Sequence, residues 1–88
     1  MHKYEITPIL TQILRKISKK DKATFEAIIK KIEEIANSYS IEHYKNLRHN
    51  MKDSQRVHVG PFVLVFSYDE SKNLITFETF KHHDEIYR

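Results

Sequence analysis

Residues Gln55 to Arg88, QRVHVGPFVLVFSYDESKNLITFETFKHHDEIYR, decide how this chain folds. Arg56 to Val59 alternates polar and apolar, so Val57 and Val59 point one way while Arg56 and His58 point the other. Gly60-Pro61 turns the chain. Phe62 to Phe66 is apolar on both faces, the pattern of a central strand covered on both sides. After a turn cluster at Asp69 to Asn73, Leu74 to Phe80 forms a last strand. Ile75, Phe77 and Thr79 lie on one side of it, and Leu74, Thr76, Glu78 and Phe80 on the other. A carboxylate avoids an apolar layer, so the side away from Glu78 is expected to face the rest of the core.

Working back toward the N-terminus, His2 to Ile6 is a short strand that ends at Thr7-Pro8, a threonine cap followed by proline at the first helical position. Leu10, Ile13, Leu14 and Ile17 recur at helical spacing until Ser18-Lys19-Lys20 interrupts them. Asp21 caps a second helix in which Phe25, Ile28, Ile29, Ile32, Ile35 and Ala36 form the apolar stripe, and Asn37-Ser38 ends it. A connection of about three residues makes an antiparallel helix hairpin whose two stripes face the same sheet. The reading is an α+β fold, β-α-α-β-β-β: a four-stranded, mainly antiparallel sheet packed on an N-terminal two-helix hairpin.

At 88 residues the chain is expected to form a single domain, 1–88. It has no cysteine, and Phe62 to Phe66 is its longest apolar run, against the roughly 20 residues of a membrane span. We therefore expect a cytoplasmic protein with no membrane partner. A net charge of +3 with six further histidines points to a polyanionic partner. The charge is concentrated: between His43 and His58 stand Lys45, Arg48, Lys52 and Arg56 against the single Asp53. Such a stripe attracts phosphates through counterion release.

RNA is cut without metal when a base removes the 2′-hydroxyl proton, a cation stabilises charge at phosphorus and an acid protonates the leaving 5′-oxygen. Histidine as a residue type titrates near neutrality and serves at either end. Arg56 and His58 share one strand face, and His82, His83 and Tyr87 lie just past the last strand, within reach of that face across the sheet. His82-His83 beside Asp84 and Glu85 invites comparison with a metal site. Adjacent residues on extended chain point to opposite sides, however, and no His-x-x-x-His accompanies them, so no metal is expected. No Gly-x-Ser-x-Gly is present, and the lone Gly60 excludes a Gly-rich nucleotide loop. No cofactor is expected.

The order Lys45-Asn46-Leu47-Arg48, Arg56-Val57-His58-Val59-Gly60, Phe62 to Phe66, Asp69-Glu70 and His82-His83-Asp84-Glu85-Ile86-Tyr87 resembles the RelE/ParE superfamily of small bacterial and archaeal toxins over essentially the whole chain. The RelE branch implies a messenger-RNA endonuclease of the ribosomal A site, neutralised by a wrapped, RelB-like antitoxin. Operator DNA would be met only through that antitoxin. Carried over by position, the resemblance places catalysis on Arg56, His58, His83 and Tyr87. Arg56 becomes the phosphate clamp, and His58 or His83 the base or acid. Lys45, Arg48, Lys52 and His82 would hold the substrate. An arginine common early in the central strand falls here on Val63, a loss that Arg48 or Lys52 would offset. The ParE branch, which poisons DNA gyrase, is the alternative. So are a non-catalytic co-repressor working with its antitoxin, and a basic nucleic-acid-binding domain without toxin activity. The antitoxin is further expected to cover the basic region, together with apolar side chains such as Val63 and Val65 that nothing in the chain obviously shields.

Overall fold

A computed structural model describes residues 2–39, 41, 45–46 and 54–86. Its elements run β1 (Lys3–Ile6), α1 (Pro8–Lys20), α2 (Lys22–Ala36), β2 (Lys45–Asn46), β3 (Ser54–Val59), β4 (Phe62–Asp69), β5 (Leu74–His82) and α3 (His83–Ile86). The α+β reading holds, with a two-residue strand added at one edge. The sheet order is β1-β5-β4-β3-β2, antiparallel except that β1 runs parallel to β5.

Thr7 starts α1 as read: its hydroxyl oxygen accepts from the Leu10 N–H at 3.1 Å, and Pro8 follows. The same hydroxyl donates to the Glu78 carbonyl at 2.7 Å, tying the helix start to β5. The helices are joined by Asp21 alone rather than by about three residues. One residue suffices because Asp21 caps both ends. Its N–H closes α1 on the Ile17 carbonyl at 2.8 Å, and its carboxylate opens α2 by accepting from the Thr24 N–H at 3.1 Å. The Thr24 hydroxyl adds a 2.6 Å bond, and these bonds hold the exposed Asp21 carboxyl below its ordinary range, the Thr24 hydroxyl contributing most.

Both apolar stripes cover one sheet face. Leu10, Leu14, Ile28, Ile32 and Ile35 pack with Leu64, Phe66, Ile75, Phe77 and Phe80 in one buried cluster. Each large aliphatic or aromatic side chain so buried stabilises the fold by about 1.5–3 kcal/mol.

Phe80 departs from simple alternation. Val65 pairs with Thr79 while Phe66 pairs with Phe77, so Glu78 is an extra residue in β5, a β-bulge. Beyond it the faces swap: Ile75 and Phe77 face the helices as expected, but so does Phe80, and Thr79 turns outward beside Val65. The extra residue's carbonyl is the one that Thr7 bonds. On the outer face Val63 and Val65 are 0% and 1% exposed, so the chain itself already shields them. They stand in register between Arg56 and His58 on one side and Thr79 and Lys81 on the other. Long polar side chains cover such neighbours with their stems, so burial of these valines does not call for a partner. No helix among the described residues is long and apolar enough to cross a membrane.

Candidate nucleic-acid interface and active site

The hairpin of β3 and β4 is the rigid support. Gly60 opens its turn at φ 61, a left-handed conformation that costs glycine little, and Pro61 completes it. Register then fixes two rows across the outer face. His58 lies opposite Val63 and Val63 opposite Lys81; Arg56 lies opposite Val65 and Val65 opposite Thr79. With strands ~4.8 Å apart, the Lys81 and His58 backbones are about 10 Å apart, a span that one phosphodiester and its flanking sugars can bridge.

Among the described residues, one backbone bond beyond the strands returns the tail to this surface. The His83 N–H donates to the Pro61 carbonyl at 2.9 Å, fastening the start of α3 to the hairpin turn. The His83 ring then stacks on His58 with centroids 5.6 Å apart and planes inclined by 28°. Both imidazoles are exposed, and Arg56 is half-buried next to them along β3. The Asp84 carboxylate stands 3.7 Å from Nδ1 of His83 and 3.7 Å from Nδ1 of His82. At the opposite end of the same face the Ser54 hydroxyl donates to the Glu78 carboxylate at 3.5 Å, so the cationic groups collect at the hairpin end.

His82 goes elsewhere. It pairs with Phe62 and meets that ring edge-on at 5.6 Å, on the side where Phe62 packs against the helix-facing core. Two histidines adjacent in sequence thus sit on opposite faces, and of the pair only His83 joins His58. Lys81 is the residue that sequence reading missed. Unbroken alternation from Ile75 and Phe77 sends it toward the helices, and the bulge at Glu78 sends it outward instead. A carboxylate in the middle of an otherwise apolar period was the available clue.

Of the remaining expected residues, Lys45 lies in β2 with Arg56 as its Cα partner. Arg48, Lys52 and Tyr87 lie outside the described residues. Among the described residues no group of three or more His, Asp or Glu side chains is placed to hold a metal ion. A notch of about 220 Å³ on the helix side is lined by Ala23, Thr24, Ala27, Val59, Gly60, Pro61 and Phe62. None of those side chains is an acid, a base or a cation.

No family model matches the chain. A candidate toxin of Methanocaldococcus jannaschii, RelE4, is 49% identical over 89 residues, covering 100% of this chain and 93% of that protein. The YoeB dimer of Staphylococcus aureus superposes with a TM-score of 0.76 at 17% identity, over 93% of this chain and 97% of that one. The archaeal RelE of Pyrococcus horikoshii, solved in complex with RelB, gives 0.70 at 14% identity over 92% and 93%. The structures establish the fold, and identity at this level over the full length establishes descent: the chain belongs to the RelE family of toxins, within the RelE/ParE superfamily.

Proposed function

We propose that this chain is the toxin of a toxin–antitoxin pair and that it cuts messenger RNA on the ribosome without metal or cofactor. The observation that carries the reading is the His58–His83 stack beside Arg56 and Lys81 on one sheet face. One imidazole takes the proton from a 2′-hydroxyl, and that oxygen bonds to phosphorus. The bond from phosphorus to the 5′-oxygen breaks, and the other imidazole protonates the departing oxygen. The products are a 2′,3′-cyclic phosphate and a free 5′-hydroxyl. Arg56 and Lys81 stabilise the charge on the phosphate oxygens during transfer, Arg56 with two parallel bonds. Tyr87, where the resemblance puts the family's terminal aromatic, would stack on or protonate the RNA, and Lys45, Arg48 and Lys52 would hold its backbone. An antitoxin partner is supported by the RelB complex of the Pyrococcus relative.

A second reading has its own observation. Val63, where an arginine is common in RelE endonucleases, is fully buried and offers no phosphate ligand, as suits a ParE-like toxin acting on DNA gyrase. Induced expression of the chain, alone and with the product of the adjacent reading frame, separates the two. Mapping of 5′ ends is expected to show new breaks in translated messages that coexpression of the neighbour suppresses. Growth arrest with intact messages and accumulating DNA breaks would replace the ribonuclease reading with the gyrase one.

A further inference from the structure

β1 is an edge of the sheet: just before it the His2 N–H donates to the Ala36 carbonyl at 2.8 Å, and among the described residues its outer side is open from Tyr4 onward. The Lys3 N–H bonds the Asn73 carbonyl at 3.3 Å and the Thr7 N–H bonds the Phe77 carbonyl at 3.1 Å, both toward β5. Strand alternation sends the Tyr4 N–H and carbonyl the other way, off the sheet. Among the described residues no backbone bond reaches Tyr4 from beyond that edge. Tyr4 itself, 41% exposed, is one of the exposed large hydrophobic side chains among the described residues.

The side chains of this edge select an occupant. Lys3 and Glu5 are both exposed, with Tyr4 between them. When two copies of β1 meet antiparallel with Tyr4 opposite Tyr4, the outward groups of the two tyrosines exchange a pair of N–H···O bonds. Each Lys3 then stands opposite the other copy's Glu5, in the non-hydrogen-bonded position where side chains approach most closely. Edge charges ordinarily repel foreign strands; these complement themselves under two-fold symmetry. We propose that a second copy of this chain docks here, joining the two sheets through Lys3–Ile6 into one. The short edge makes the dimer reversible rather than obligate.

Sedimentation velocity at low salt across a concentration series tests this. The wild type is expected to shift from monomer to dimer with rising concentration, with slower hydrogen exchange at the Tyr4 amide in the dimer. Lys3→Glu and Glu5→Lys should each weaken association by roughly tenfold, since two symmetric attractions become repulsions. The double swap should restore it, because Glu at 3 again meets Lys at 5. Both sites are exposed, and the one bond at stake, from the Thr76 hydroxyl to Glu5 at 3.3 Å, is peripheral, so circular dichroism should be unchanged in all three. A wild type that stays monomeric to millimolar concentration overturns the proposal. So do single swaps that dimerise like wild type, a double swap no better than the singles, or Tyr4 protection that appears only on adding the neighbouring gene's product.

Discussion

Replacing His83 and His82 one at a time by alanine tests the proposed active site most sharply, because the two residues are adjacent in sequence while their rings meet His58 and Phe62 on opposite sides. His83→Ala removes one of two stacked imidazoles whose centroids lie 5.6 Å apart. Positioned acid–base catalysis contributes 10²–10⁴-fold, so the expected loss in cleavage rate is at least about 100-fold, or ~2.7 kcal/mol of transition-state stabilisation. The His83 ring is exposed and its backbone bond to Pro61 survives the change, so stability should move by no more than ~0.5 kcal/mol. His82→Ala instead removes an edge-on contact with Phe62 at 5.6 Å, worth about 0.5–1.5 kcal/mol of stability, and the exposed 3.2 Å bond that His82 Nδ1 accepts from the Asp84 N–H; with the His83–Pro61 bond retained, it should cost cleavage far less than His83→Ala does. The assay is ribosome-dependent cleavage of a defined message, with urea denaturation run on the same preparations. His58→Ala together with His83→Ala should lose little more than either alone, because two groups that act as a unit are non-additive. Equal losses of cleavage in folded His82→Ala and His83→Ala would falsify the assignment of the two histidines to different faces.

Three further outcomes follow from the fold. Phe77→Ala should lower unfolding free energy by about 3–5 kcal/mol, because the ring is fully buried and contacts both Phe66 and Tyr4; equilibrium denaturation reads it directly. Gly60→Ala should destabilise by about 1–2 kcal/mol although a Cβ there meets nothing within 4 Å, since the cost is the φ of 61 and not a clash; the same experiment measures it, and an unchanged midpoint would refute the strain argument. Asp21 gives a pH dependence. Its folded pKa is depressed below the ordinary 3.8, so its contribution is fully present above that value and lost as pH falls through the lower, folded one. In thermal melts from pH 6 to pH 2, Asp21→Ala should flatten the acid limb and lower the midpoint by a few degrees at neutral pH, where α2 loses its side-chain cap while the backbone N–H that closes α1 remains.

Local chemistry was enough for β1, both long helices and the three long strands, though not for the two-residue β2 or the short α3. Thr7-Pro8 and Asp21 mark helix starts by hydrogen bonds that close within three residues, and the stripes from Leu10 to Ile17 and from Phe25 to Ala36 need only the helical period. Gly60-Pro61 and the Asp69–Asn73 cluster place the turns for equally local reasons. The same period-2 rule put Arg56 and His58 on one face, where the structure has them. What sequence could not decide depends on which strand lies beside which. The parallel pairing of β1 with β5 is long-range, and the bulge at Glu78 arises where β5 meets both β4 and the Thr7 hydroxyl. That one extra residue inverts every later side chain of β5. It brings Phe80 into the core, lays His82 against Phe62, turns Lys81 out to the face that carries His58, and leaves His83 to be drawn onto His58 by the Pro61 carbonyl. A strand's faces can be counted from sequence only while its pairing is regular, because alternation belongs to one strand while register belongs to two.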